Sequence, residues 1–243
     1  MSLASLPDGY RAAVFGASGG IGQAFVSLLA ADPRCAHIHA GSRRKTGAVQ
    51  DRVTPFHFDL TDAGSIAASA ETIGSPDLVI VATGVLQNDR LSPEKSLRAL
   101  EAVQLQEAFA INTVGPALIA RHVLPTLRRG QRSLFAVLSA KVGSISDNRL
   151  GGWHSYRASK AALNQLVRTL SVELARTHPH CVCVALHPGT VDTALSRPFQ
   201  SAIPPARRFP PETAARQLLS VLDTLRPAAS GRLIGWDGNE ISP

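Results

Sequence analysis

Arg11-Ala12-Ala13-Val14-Phe15-Gly16-Ala17-Ser18-Gly19-Gly20-Ile21-Gly22 reads as a buried strand, a glycine-rich loop and the first turn of a helix. The run to Phe15 is apolar and β-rich, and helical periodicity follows from about Gly20 to Ala31. The glycines between permit a sharp turn and let backbone amides approach a phosphate at the positive end of the helix. A glycine loop alone is weak evidence; between a strand and a helix it favours a dinucleotide site over a plain turn. The spacing is Gly-x-x-x-Gly-x-Gly, and the lysine of an NTPase phosphate loop is absent, which argues against ATP hydrolysis.

Outward from this unit, apolar runs alternate with helical periods along the whole chain. Further strands are expected at Ala36–Ala40, Val53–Phe58, Asp77–Ala82, Leu134–Leu138, Cys181–Leu186 and Gly231–Ile234. The Asp77–Ala82 run is nearly all aliphatic, as a strand covered on both faces should be. Thr61 or Asp62 caps a helix ending near Gly74. Ser92-Pro93-Glu94 reads as the start of a largely helical segment to Arg129, with Gly115-Pro116 predicting a kink in the helix from Glu101 to Arg128. Helices are also expected over Trp153–Thr177 and Pro211–Leu225. The pattern predicts an α/β fold, a doubly wound parallel sheet of about seven strands with helices on both faces. Residues 190 to 210 hold four prolines and no period, so they read as a mobile flap shaping a substrate site. No repeat or linker divides the chain, which reads as one domain over 1–243.

Composition excludes several other classes. The chain is 44% hydrophobic and 18% charged, which is ordinary for a soluble globular protein. No apolar run is long enough to span a bilayer, and Met1 to Tyr10 does not read as a secretion signal, so the cytoplasm is expected. The three cysteines, Cys35, Cys181 and Cys183, lack metal-site or redox spacing. No metal is expected. The net charge of +7 raises nucleic acid as a partner, but the arginines are scattered and no recognition motif accompanies them.

Two further places carry chemistry. After the second strand an acidic residue would accept hydrogen bonds from an adenosine ribose 2′-hydroxyl; this chain offers Ser42, Arg43 and Arg44. Guanidinium groups suit a 2′-phosphate, so NADP is favoured over NAD, against the reading of an ordinary solvated basic turn. Farther on, Tyr156-Arg157-Ala158-Ser159-Lys160 opens a long helix and puts Tyr156 and Lys160 on one face, one turn apart. An ammonium beside a phenol favours the phenolate, so the tyrosine pKa is expected to fall from about 10. By itself such a pair is more often a solvated surface.

In this order the motifs resemble the short-chain dehydrogenase/reductase family: Gly16-x-x-x-Gly20-x-Gly22, Asp59, Asn112, Ser139, Tyr156-x-x-x-Lys160 and Pro188-Gly189-Thr190-Val191-Asp192-Thr193. The His187-Pro188-Gly189 run and the closing Trp236-Asp237-Gly238 look like its C-factor and sniffer-like branch, which includes carbonyl reductases. The resemblance implies a strand order of 3-2-1-4-5-6-7 and a nicotinamide cofactor across the strand ends. It implies Tyr156 as acid/base, Lys160 on nicotinamide-ribose hydroxyls, Ser139 on the substrate oxygen and Asn112 in a water-linked proton relay. It gives cofactor contacts to Gly16, Ser18, Gly19, Gly20, Ile21, Gly22, Asp59, Leu60, Thr83, Gly84, Pro188, Gly189, Val191 and Thr193, and suggests a homo-oligomer.

Each residue keeps a plainer reading: Ser139 and Pro188-Gly189 as turn residues, Asn112 as a backbone bridge, Asp59 as a helix cap. Trp153, His154 and Phe199 flank the expected pocket without assigned chemistry. Three departures from the family stand out: Val81-Ala82-Thr83-Gly84 replaces Asn-Asn-Ala-Gly, Phe15 stands where threonine is frequent, and the Val142–Gly152 loop is long. The expected activity is interconversion of a carbonyl and an alcohol on a small or medium organic substrate. The alternative is a protein of this fold that senses NADP(H) without turnover. An epimerase or dehydratase of the extended relatives is disfavoured, because the chain lacks room for a separate substrate domain.

Overall fold

Eight strands form the central sheet in the computed structural model, which describes residues 2–43, 51–202, 204 and 208–243. They are β1 (Tyr10–Phe15), β2 (Cys35–Ser42), β3 (Val53–His57), β4 (Leu78–Val81), β5 (Ser133–Leu138), β6 (Cys181–His187), β9 (Leu233–Gly235) and β10 (Glu240–Ile241). Their spatial order is β3-β2-β1-β4-β5-β6-β9-β10. Neighbours are parallel up to β9, as expected, and β10 is an addition that returns antiparallel to β9. The reversal is made at Asp237-Gly238, with Gly238 at φ 81° and its amide on the Gly235 carbonyl at 2.9 Å. Asp-Gly is a strong hairpin signal.

The side-chain alternation of β1 shows why the sheet is covered twice. Ala12 and Val14 face a core with Phe25 and Leu29 of α1 (Gly20–Ala30) and Leu218 and Leu222 of α6 (Pro211–Thr224). Ala13 and Phe15 face a second core containing Ile66 and Ile73 of α2 (Ala63–Ile73), Ile119 and Val123 of α4 (Gly115–Val123), and Leu163 and Val167 of α5 (His154–Thr177). Phe15, the departure from the family's frequent threonine, has its ring edge-on to Phe56 at 5.3 Å and to Phe58 at 5.0 Å. Burying such a ring is worth about 1.5–3 kcal/mol, against about 0.5–1.5 kcal/mol for one hydrogen bond, so the aromatic cluster replaces the hydroxyl at no net loss. Asp62, rather than Thr61, caps α2: its carboxylate accepts from the Gly64 amide at 2.9 Å and the Ser65 amide at 3.2 Å.

The 92–129 segment differs from expectation. Ser92-Pro93-Glu94 does not start a helix; apart from a 3-10 turn at Leu97–Ala99, helix begins with α3 (Ala102–Phe109). The Glu94 side chain is buried and bonds to α5, and that tertiary contact outweighs its local helix-start signal. The long helix is interrupted just before Gly115-Pro116. A π-helical turn over Ala110–Val114 separates α3 from α4, and Pro116 lies in the first turn of α4, where a missing N–H costs little. Within the 190–210 stretch the described residues include two short strands and a 3-10 helix. β7 (Thr190–Val191) pairs in parallel with β8 (Arg208–Phe209), and a 3-10 helix covers Arg197–Ala202.

Candidate active site

The order of strands reverses between β1 and β4, so the loops leaving their carboxyl ends diverge and open a crevice there. The glycine loop lines it. Gly16 sits at φ 89°, and its amide and that of Ala17 both donate to the Gly41 carbonyl at 2.9 Å. A Cβ on Gly22 would lie 2.1 Å from the Gly16 carbonyl oxygen, so only glycine lets the loop fold back onto α1. Ser18, Gly19 and Gly20 are exposed, Ile21 is half-buried, and α1 starts without a side-chain cap or an acidic residue in its first turn. Beside them Thr83 Oγ1 is buried without a hydrogen-bond partner among the described residues. A positive helix end bordered by an unspent hydroxyl fits a phosphate-bearing dinucleotide.

The other described residues of the expected cofactor set stand at or after the carboxyl ends of β2, β3, β4 and β6. Thr193 reaches the glycine loop from beyond β6, its Cγ2 2.9 Å from where a Cβ on Gly20 would stand. Pro188 and Gly189, the latter at φ 74°, turn the chain out of β6, and Val191 is buried in β7. At the end of β2, Ser42 is buried and Arg43 exposed; Arg44 lies outside the described residues. The Asp59 carboxylate accepts from the Thr61 amide at 2.8 Å and the Thr61 hydroxyl at 2.7 Å. Those bonds, with Arg43 nearby, hold it below the usual carboxylate range. Asp59 therefore braces its own turn rather than capping α2. Leu60 packs against Gly115 of α4.

Across the crevice α5 presents Tyr156 and Lys160. Lys160 is 3% exposed, donates to the Leu138 carbonyl at the end of β5 at 2.8 Å, and its Nζ stands 5.9 Å from the Tyr156 ring centre. A Cβ on Gly84 would come within 3.5 Å of that Nζ and 3.4 Å of Asn112 Oδ1, so the β4 loop meets both side chains at its glycine. Burial pushes the Tyr156 phenol up to about 12 and the Lys160 ammonium down to about 8. This is opposite to the expected fall in the tyrosine pKa: desolvation of the phenolate sets the direction, and the ammonium is itself desolvated and aimed at a carbonyl. Burial also takes the His187 imidazole down to about 4, so it is neutral at pH 7 and no competing acid.

Ser139 and Asn112 both hold protein partners. Ser139 Oγ donates to Asn164 Oδ1 at 2.7 Å. Asn112, fully buried in the π-helical turn, accepts from the Val85 amide at 2.8 Å and donates to the Val85 carbonyl at 2.9 Å and Ser159 Oγ at 3.1 Å. Its side chain is thus a clamp between the β4 loop and α5. Thr113 adds a bond from its hydroxyl to the Ser159 carbonyl at 2.8 Å.

Three contributors escaped the sequence reading. Asn164 had a usable signal, since Tyr156, Lys160 and Asn164 recur every four residues on one helix face. Ser159 lay inside the quoted pentapeptide but was read only as spacing. Glu94 had only a helix-start signal and none for this contact, its partner Ser155 being 61 residues away.

The short chain dehydrogenase family pattern matches residues 11–203. The chain belongs to that family. Among curated relatives of this short-chain dehydrogenase, "C-signal" of Myxococcus xanthus is 34% identical over 146 residues, covering 60% of this chain and 82% of the relative. The 1-hydroxy-2-glutathionyl-2-methyl-3-butene dehydrogenase of Rhodococcus sp. strain AD45 is 31% identical over 184 residues, covering 74% and 76%. Among solved structures, the NADPH-bound carbonyl reductase from chicken fatty liver superposes with a TM-score of 0.82 at 25% identity, covering 98% of this chain and 95% of the other. Among the described residues, no helix is long and apolar enough to cross a membrane, and no group of three histidine, cysteine or acidic side chains is placed to hold a metal.

Proposed function

We propose that this short-chain dehydrogenase is an NADP-dependent reductase of a carbonyl on a small or medium organic molecule, with Tyr156 as the proton donor. One observation carries the reading: a buried Tyr156–Lys160 pair, with Lys160 tied to the end of β5, in a chain whose glycine loop leads into the uncapped start of α1. The relative that is a dehydrogenase and the NADPH-bound carbonyl reductase of the same fold support it. When bound, the nicotinamide supplies the hydride. Gly16, Ser18, Gly19, Gly20, Ile21 and Gly22 hold the pyrophosphate, with Thr193 alongside. Ser42, Arg43 and Arg44 take the 2′-phosphate, Asp59 and Leu60 border the adenine, and Thr83, Gly84, Pro188, Gly189 and Val191 line the nicotinamide side.

Reduction of a carbonyl builds negative charge on its oxygen, and a donor must be in place as it appears. Tyr156, whose pKa burial raises, is a protonated phenol at neutral pH and can donate to that oxygen. Ser139 meets the substrate oxygen with the hydroxyl that Asn164 orients, and Lys160 holds ribose hydroxyls. The relative named C-signal favours a second reading, a protein that senses NADP(H) without turnover. Intact Ser139, Tyr156 and Lys160 weigh against it, since a sensor needs only the cofactor half.

Binding of NADPH and NADH to the purified protein, followed by the loss of NADPH absorbance with a panel of aldehydes, ketones and diones, tests the proposal. Tight NADPH binding and Tyr156-dependent decay are expected. NADPH binding with no turnover across the panel moves the reading to the sensor, and failure to bind either dinucleotide overturns the assignment of the glycine loop.

A further inference from the structure

The helix that carries Tyr156 has no N-terminal cap of its own. The residue before it is Trp153, whose side chain makes no capping bond, and its first turn contains no acidic residue. Helix starts leave their first amides without acceptors, and the usual remedy is a local Ser, Thr, Asp or Asn. Here the remedy comes from 61 residues away. Glu94 is 3% exposed, and its two carboxyl oxygens accept from the Ser155 amide at 3.3 and 3.2 Å. The Ser155 hydroxyl donates to the same carboxyl group, and the Glu94 main-chain carbonyl accepts from the Trp153 amide at 2.6 Å.

These bonds hold the two residues that flank His154, next to Tyr156. Trp153 is the one non-glycine residue with positive φ among the described residues, at φ 52° and ψ 41°, directly after Gly151 and Gly152 at φ 65° and 66°. Such a backbone is costly for tryptophan and persists only where its surroundings impose it. In that conformation its ring packs edge-on against Tyr156 at 6.2 Å and against Phe199 of the 190–210 segment at 5.2 Å. Tyr156, in the first turn, would otherwise lie where helices fray, whereas Lys160 and Asn164 sit one and two turns deeper with their own anchors on Leu138 and Ser139.

We propose that Glu94 is a positioning residue for Tyr156, a cap supplied from the loop after β4 that locks the first turn of α5 and the Trp153 ring against the tyrosine. The proposal rests on Tyr156 being the proton donor. It separates two anchoring systems: the glycine loop for the dinucleotide, and the Glu94 cap for the phenol.

The test compares wild type, Glu94→Gln, Glu94→Ala and Ser155→Ala in the full chain. NADPH affinity, kcat and KM for a reduced carbonyl are measured per NADPH-binding site, with backbone amide exchange across residues 153–160. Glu94→Ala is expected to leave NADPH affinity within about twofold, lower kcat roughly ten- to a hundredfold and change KM less, as a misplaced catalytic group does. Glu94→Gln keeps an acceptor oxygen and is expected to recover most of that loss. Faster exchange at Ser155 and Tyr156, but not in the later turns of α5, accompanies it. Where Glu94→Ala does not fold, Glu94→Gln and Ser155→Ala carry the same comparison at smaller amplitude. Unchanged kcat per site with only lowered thermal stability, or a loss shared equally by NADPH binding, overturns the proposal. If wild type turns over no carbonyl, the Tyr156 reading fails on its own, and unaltered protection of the Ser155 and Tyr156 amides in the variants still overturns the cap.

Discussion

Two residues test the chemistry most directly. Tyr156→Phe removes one hydroxyl from a buried ring and leaves its Trp153 packing possible, so NADPH affinity should hold within about twofold. Turnover should fall by about 10²–10⁴-fold, the usual worth of positioned proton transfer, read from NADPH consumption at saturating substrate. Arg43→Glu addresses the other end of the crevice. Arg43 is exposed at the end of β2, close enough to Asp59 to help lower its pKa. If it takes the 2′-phosphate, reversing its charge should weaken NADPH roughly ten- to a hundredfold while NADH changes far less, the loss of one charge-assisted hydrogen bond being about 1.5–3 kcal/mol. Equal effects on both dinucleotides would return Arg43 to the status of a solvated turn residue. Ser139, Asn112 and Asp59 were legible as positions but not as geometries, because each polar side chain was free in sequence to choose among several partners.

Helices and strands were legible where one physical signal dominated. α5 runs from His154 to Thr177, within a residue of expectation, because its apolar face recurs at helical spacing to the Leu174 turn. α2 carries its own start signal in Asp62. Asp62→Ala removes both capping bonds and should lower stability by about 1 kcal/mol in chemical denaturation, with NADPH affinity unchanged. A drop below about 0.3 kcal/mol would mean water replaces that carboxylate freely. The 92–129 segment was misread for the opposite reason. Its local start signal at Ser92-Pro93-Glu94 competes with a buried contact, and the π-helical turn has no distinct composition.

At the scale of the whole molecule, burying Lys160 leaves a signature in the pH dependence of stability. Its folded pKa, about 8, lies below the ordinary 10.5, so between those values the unfolded chain binds more protons than the folded one. Stability from this residue is therefore lowest below about pH 8 and rises as pH climbs toward 10.5. Tyr156 acts in the opposite sense above about pH 10, since its folded pKa is raised to about 12. Urea midpoints of wild type and Lys160→Met at about pH 7 and about pH 9.5 isolate the lysine. The difference should move in favour of wild type at the higher pH; a difference independent of pH would show that the ammonium is hydrated in solution.

Sequence alone determined the alternation of strands and helices, the parallel character of the sheet, the glycine loop and the Tyr156–Lys160 spacing. All of these are encoded by neighbours a few residues apart, through strand and helix periods or the backbone needs of a tight turn. Tertiary structure decided what depends on partners far apart in the chain. It set the direction of the Tyr156 and Lys160 pKa values, because burial by distant elements outweighs the local pair. It committed Ser139 to Asn164 and Asn112 to Val85 and Ser159, and it turned Glu94 from a supposed helix start into the cap of another helix. Desolvation and hydrogen-bond choice are properties of the packed surroundings, and no window along the chain contains those surroundings.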